Sequence, residues 1–324
     1  GQYYDGRGFD YREKGETEWQ EYTDSAYFTG SGAFSGSVSG LDPNADYEFR
    51  AKAHNAAGWG YGSTVTLHTL VEPPLVQTDP ATDVTHNSAT LNATITYTGG
   101  EDCDFRAIVY RKQGTTMWTP WQEEGAFGTG VFSVAINGLD AGTPYEFYCY
   151  AHNSVGTAYG STLTFTTLDV PGVSTLEESD VVPESATLNG EITSTGGADC
   201  DERGFDYRAK GETTWQSWTE AGTFGTGTFS WGLTGLSPGS FWEFRAKAHN
   251  QVGWGYGDIE SLETPPVPPS VATCSATGIS GTWAQLNGEI TDTGGRNCDY
   301  RGFDYRMQGE EEWQEWTEYR EVVF

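Results

Sequence analysis

The sequence predicts an all-β chain of tandem immunoglobulin-like sandwiches in an extended row, on three observations. First, three blocks recur with one period, the mark of a repeat architecture. RGFDYR stands at Arg7–Arg12, Arg203–Arg208 and Arg301–Arg306, with the variant RAIVYR at Arg106–Arg111, so the block starts at 7, 106, 203 and 301, steps of 99, 97 and 98 residues. YEFRAKAHN (Tyr47–Asn55) returns as YEFYCYAHN (Tyr145–Asn153) and WEFRAKAHN (Trp242–Asn250), and ATLN (Ala89–Asn92, Ala186–Asn189) returns as AQLN (Ala284–Asn287). Second, apolar residues in these blocks alternate with period two, as half-buried strands require, and no block has a helical period. Third, aromatics at 14% with 43 glycines and 19% charged residues suit many strands joined by many turns.

In the ATLNGEI strand, Leu188, Gly190 and Ile192 share a face. The Thr-Gly-Gly turn (Thr195–Gly197) ends it and leads to RGFDYR, where Phe205 and Tyr207 point inward, as do Phe9 and Tyr11, and Phe303 and Tyr305. Lys210-Gly211-Glu212 is a hairpin tip and Gly235–Gly239 a crossing loop. In YEFRAKA, Tyr47, Phe49, Ala51 and Ala53 face one way, and Glu48, Arg50 and Lys52 the other. Prolines mark stiff joints at Pro73-Pro74, Pro171 and Pro265–Pro269. The expected domains are a partial repeat over 1–72, complete repeats over 73–168 and 169–265, and a partial repeat over 266–324. The first carries only the strands from C onward and the last stops after C′, so each leaves half a core open. Two readings stand: a window on a longer chain, or completion by strands of another copy. The β-prone tail Glu318–Phe324 suits the second reading, which grows a filament.

The run Leu41-Asp42-Pro43…Tyr47-x-Phe49-x-Ala51-x-Ala53-x-Asn55 resembles the end of a fibronectin type III domain. The resemblance implies a tyrosine corner, with Leu41 and Tyr47, Leu139 and Tyr145, and Leu236 and Trp242 as its pairs. Trp242 lacks the hydroxyl, so its corner is expected to be held by packing. The Leu-Asn-Gly-Glu-Ile strand resembles repeats of bacterial, archaeal and viral surface proteins, and the resemblance covers essentially the whole chain.

A net charge of −29 disfavours nucleic acid and anionic membranes as partners. No run is long and apolar enough for a membrane helix. The five cysteines do not form a disulfide framework; Cys274–Cys298 is the one intradomain pair to consider. Candidate interdomain or ligand aromatics are Trp59, Tyr61, Tyr159, Trp254 and Tyr256 of the glycine-rich loop, and Trp121, Trp218 and Trp316 of the Trp pairs. Packing is the plainer reading of each, against a neighbouring domain for the loop and within the core or on the surface for the pairs. His54, His152 and His249 read as a solvated strand face, and calcium at the Asp102-Cys103-Asp104 register has no loop spacing to support it. Asn92-Ala93-Thr94 is the only glycosylation sequon. No nucleophile elbow, HExxH, CxxC or P-loop is present. The expected function is a structural component of an extracellular or virion-surface fibre, self-associating head to tail, with no enzyme activity and no cofactor. The alternative is an adhesin stalk or a carbohydrate-binding accessory.

Overall fold

A computed structural model describes residues 6–24 and 31–319. Every regular element among them is a β-strand. The first repeat holds β1 (Gly6–Glu13), β2 (Gln20–Asp24), β3 (Asp46–Asn55), β4 (Gly58–Tyr61) and β5 (Val65–His68) in one sheet, order β2-β1-β3-β4 with β5 also on β3. The second adds a whole sandwich: β6 (Leu75–Thr82), β7 (Ser88–Tyr97), β8 (Cys103–Lys112), β9 (Thr119–Phe127), β10 (Gly130–Asn137), β11 (Pro144–Asn153), β12 (Gly156–Tyr159) and β13 (Leu163–Thr166). One sheet runs β10-β7-β6 and the other β12-β11-β8-β9, with β13 on β11.

The third repeat copies this order with β14 (Gly172–Val182), β15 (Ser185–Ser194), β16 (Cys200–Ala209), β17 (Gln216–Phe224), β18 (Gly227–Thr234), β19 (Phe241–Asn250), β20 (Gly253–Tyr256) and β21 (Glu260–Glu263). The fourth has two hairpins, β22 (Ser270–Thr277) with β23 (Gln285–Asp292), and β24 (Tyr300–Tyr305) with β25 (Gln314–Tyr319). The chain is thus a series of tandem fibronectin type III-like β-sandwiches. By contacts it divides into two compact units, residues 1–167 and 168–324. The tail from Arg320 onward, one basis of the strand-exchange expectation, lies outside the described residues.

Alternation builds each core. In the second repeat, Leu91 and Ile95 from β7, Ile108 from β8, Phe132 and Ile136 from β10 and Phe147 and Cys149 from β11 close on one another. In the third, Leu188, Ile192, Phe205, Phe229, Leu233, Phe244 and Leu262 do the same. Each fully buried apolar side chain contributes roughly 1.5–3 kcal/mol, so the two sheets cannot separate cheaply. The corner tyrosines behave as the resemblance implies: the Asp42 N–H donates to Tyr47 Oη at 2.9 Å and the Asp140 N–H to Tyr145 Oη at 3.0 Å. Trp242 departs from the expectation. Its Nε1–H donates to Ser240 Oγ at 2.8 Å, and Ser240 in turn donates to the Ser237 carbonyl, so this corner too is hydrogen-bonded.

The Thr-Gly-Gly turn and the Asn of Ala-His-Asn form a latch on the linkers that enter the second and third repeats. The fully buried Asn153 donates from Nδ2 to the carbonyls of Glu72 (2.7 Å) and Thr98 (3.0 Å), and Asn250 does so to Asp169 (2.7 Å) and Thr195 (2.8 Å). Gly99 lies so close to the linker that a Cβ would stand 1.8 Å from the Glu72 carbonyl oxygen. Its φ of +81° is itself a conformation for glycine. Within the first unit, Gly100 O accepts from Asn44 Nδ2 at 2.8 Å; within the second, a Cβ on Gly295 would meet Pro238 O at 2.1 Å. The turn thus packs against the crossing loop of the preceding repeat in both units.

Two sequence expectations are corrected. Cys274 and Cys298 are both free thiols. Cys274 sits on β22 opposite Asn287, in the register of Leu176 on β14. On β14 the core-facing residues are Val173 and Thr175, so Leu176, next to Thr175, points away from the core. Cys298, just before β24, holds the register of the fully buried Cys200, so one sulfur starts on the core side and the other on the side away from it. Asn92 is structural rather than a free acceptor: its Nδ2 donates to Pro80 O and Thr82 Oγ1 at the β6 bulge. Asn189 and Asn287, which lie in no sequon, make the same bonds to Glu177 and Ser179 and to Ser275 and Thr277.

Candidate functional site

The outward face of the β11-containing sheet is where the repeats differ. In the first repeat it is closed by charge. Asp10, 3% exposed, accepts from Arg50 Nε (3.0 Å) and Nη2 (2.9 Å), with Lys52 Nζ at 2.7 Å. Arg50 lies 4.6 Å from the Trp19 ring and 4.2 Å from Tyr61, Arg12 lies 4.3 Å from Trp19, and Lys52 Nζ lies 4.8 Å from Trp59. Burial pushes the Asp10 carboxyl up, but bonds and charges from Lys52 and Arg50 outweigh it and leave it below its ordinary 3.8. Burial likewise lowers Lys52, and Asp10 with Glu21 more than restores it, to above its ordinary 10.5.

The third repeat has the same ladder. Asp206 accepts from Arg245 (3.0 Å) and Lys247 (2.6 Å), and Arg245 and Lys247 lie over Trp215, Tyr256 and Trp254. Trp59, Tyr61, Trp254 and Tyr256 therefore cover cations of their own sheet, where the loop was expected to pack against a neighbouring domain. The Trp pairs also resolve. Trp121 stands opposite Ile108 and Trp218 opposite Phe205, so both share the core-facing side and pack against the cores. The outward member of each pair is Trp118 or Trp215, and the candidates Trp121 and Trp218 are the inward ones. Trp316, opposite Phe303 and 52% exposed, lies on the face that is the core face in the complete repeats.

In the second repeat the buried centre of the ladder is gone, and only Arg111, paired with Glu146 and 4.1 Å from the Trp118 ring, keeps the place of Arg12. Val109 replaces the carboxylate, Tyr148 and Tyr150 replace Arg and Lys, and Thr157 replaces Trp. What stands there is a strip of rings. Trp118 meets Tyr148 edge-on at 4.8 Å, Tyr148 lies 6.4 Å from Tyr150 and 6.2 Å from Tyr159, Tyr150 lies 5.6 Å from Tyr159, and Phe105 stacks on Tyr150 at 5.6 Å. Val109 is buried beneath, and Tyr159 is 65% exposed. Beside the strip lies an open depression of about 500 Å³ lined by Asp104, Phe105, Glu124, Tyr150, His152 and Thr157. His152 Nδ1 pairs with Asp104 Oδ1 at 2.7 Å, which leaves Nε2 to face a ligand. Partial burial, then the neighbouring Tyr148 and Tyr159, hold the Tyr150 phenol above its ordinary value, so it remains a hydrogen-bond donor at neutral pH.

Sequence reasoning found Tyr159 and raised Trp118 only as one of a pair, and missed Tyr148, Tyr150 and Phe105. The signal was present: YEFYCYAHN differs from YEFRAKAHN at two outward positions, both charge to tyrosine. Among the described residues no three His, Cys, Asp or Glu side chains converge as metal ligands, and no helix is long and apolar enough to cross a membrane.

No family model matches the chain. Over 220 residues, 62% of this chain, it is 31% identical to endoglucanase B of Cellulomonas fimi, and it spans 20% of that protein's length. Two solved structures show loose likeness. The FN1–FN3 domains of chicken CNTN1 cover 81% of this chain and 89% of their own at 15% identity, with a TM-score of 0.35. The sensor domain of the anti-sigma factor RsgI4 of Pseudobacteroides cellulosolvens covers 31% of this chain and 99% of its own at 20% identity, with a TM-score of 0.28.

Proposed function

We propose that this chain is a non-catalytic, extracellular accessory segment of a larger glycan-active protein, a stiff spacer that holds other parts at a distance. The carrying observation is the latch: a buried Asn and a glycine turn hold the linker carbonyls of Glu72 and Asp169 to the sandwich that follows, so neither linker can leave that sandwich without stranding buried polar groups. The relative is an endoglucanase of which this chain matches one fifth, a share that fits an accessory part. Small-angle scattering of the whole chain is expected to give the profile of a stiff row of beads. Asn153→Ala is expected to loosen it, and a compact or freely jointed profile would count against the spacer.

A second reading, head-to-tail fibre assembly, is favoured by one feature. Phe9, Tyr11, Phe34, Leu41, Phe49 and Leu67 line an apolar cavity of about 260 Å³ in the first repeat, on the face that β6, β7 and β10 cover in the second. Strands from upstream chain or from a second copy would fill it. Filaments in electron micrographs of the purified chain would support the second copy; monomers at high concentration would remove it.

A further inference from the structure

We infer that the aromatic strip of the second repeat is a binding platform for an extended, neutral β-glucan chain. The inference rests on the accessory reading above and names the ligand class for that segment. The same sheet position is solved in two ways within one molecule. The first and third repeats lock their rings under arginine and lysine, which in turn are held by a buried aspartate. In the second repeat the buried aspartate and the central arginine and lysine are replaced; Arg111 still lies over Trp118, while Tyr148, Tyr150 and Tyr159 have only one another, Phe105, Trp118 and solvent. A fold that already has a self-contained covering for this sheet, and uses it on either side, does not need four tyrosine and tryptophan rings for stability alone.

The chemistry of the lining selects the ligand. Rings with centroids 5.6–6.4 Å apart, tilted 26–56° to one another, offer a row of apolar edges and faces, with Phe105 backing Tyr150. A pyranose with equatorial hydroxyls presents a C–H face to such a ring and its hydroxyls to the sides. At the side of this strip stand Asp104 and Glu124 as acceptors, and the free nitrogen of His152. Those carboxylates, within a chain of net charge −29, repel uronates and sulfated sugars, which leaves neutral glycans. The depression is open and the rings run on beyond it to Trp118, so the site fits a chain and not a single compact sugar.

The test is affinity electrophoresis of the whole chain in native gels containing hydroxyethylcellulose, mixed-linkage β-glucan or, as the anionic control, polygalacturonate. Retardation by at least one neutral glucan and none by polygalacturonate is expected. Tyr150→Ala and Tyr159→Ala are each expected to weaken it about tenfold, the loss of one stacked ring. Trp254→Ala, at the equivalent sheet of the third repeat, is expected to leave it unchanged. The triple change Val109→Asp, Tyr148→Arg and Tyr150→Lys rebuilds the charged ladder and is expected to keep the fold, checked by near-ultraviolet circular dichroism, while abolishing retardation. No retardation by either glucan, or retardation that survives all of these strip changes, overturns the inference. So does a concentration-dependent dimer lost with the same changes, which would assign the strip to a second copy. A chain that scatters as a stiff row yet ignores both glucans sinks the platform and leaves the spacer standing.

Discussion

At the scale of single residues, the outer-sheet aspartate shows how one position decides what a surface can do. Asp10 and Lys52 are almost fully buried, and a buried ion stays charged only because its partners are in place. Asp10 titrates below its ordinary 3.8 when folded, so its contribution is present above that value and is lost as pH falls through the folded pKa. Lys52 titrates above its ordinary 10.5, so its share is present below that value and is lost as pH rises beyond it. Thermal stability of the first repeat is therefore expected to fall below pH 3.8 and again above pH 10.5. Asp10→Asn, which takes the buried carboxylate from Arg50 and Lys52 and leaves Lys52 only Glu21, should cost about 3 kcal/mol at neutral pH and flatten the acid limb. An unchanged acid limb in that variant would show that the pair carries no linkage. Val109, at the equivalent place, gives the second repeat no such dependence.

At the scale of elements, a strand motif and a turn motif some fifty residues apart in sequence turn out to serve one joint. Asn250 satisfies the linker carbonyl of Asp169 and the turn carbonyl of Thr195 through Nδ2, and the N–H groups of Val252 and Gly253 through Oδ1. Asn250→Ala leaves these buried groups without partners and should cost at least about 2 kcal/mol in chemical denaturation. Asn55→Ala, whose Oδ1 accepts only from Ala57 N–H at an exposed turn among the bonds resolved there, should cost clearly less. Equal losses at both sites would mean that the latch does not depend on linker carbonyls. The strand pattern, the hairpins and the tyrosine corners were legible from alternation and turn residues. The partner of Asn250 was not, because a linker carbonyl carries no side-chain signature. The sidedness of the Trp pairs was also open: two residues three apart must face opposite ways, but only the pairing register tells which one meets the core.

At the scale of the whole molecule, charge dominates. With 46 acidic residues against 17 basic ones, the folded chain repels itself more than its ion pairs attract. Raising NaCl from about 0.01 M to about 0.3 M shortens the screening length from about 30 Å to under 10 Å and should raise stability. A gain of about 4 °C or more in the first unfolding midpoint is expected, roughly 1 kcal/mol for one sandwich. A fall with salt would mean that the surface ion pairs outweigh the net repulsion.

The sequence by itself determined the all-β class, the period near 98 residues, the alternating faces and the turn positions, because each follows from backbone geometry acting over a few neighbouring residues. Only the tertiary structure decided what the outward faces present. Whether a tyrosine covers a cation or stands open to solvent depends on which residue lies across the sheet. The pairing of β8, β11 and β12 sets Val109, Tyr148, Tyr150, Tyr159 and Phe105 side by side although more than fifty residues of chain separate the first from the last.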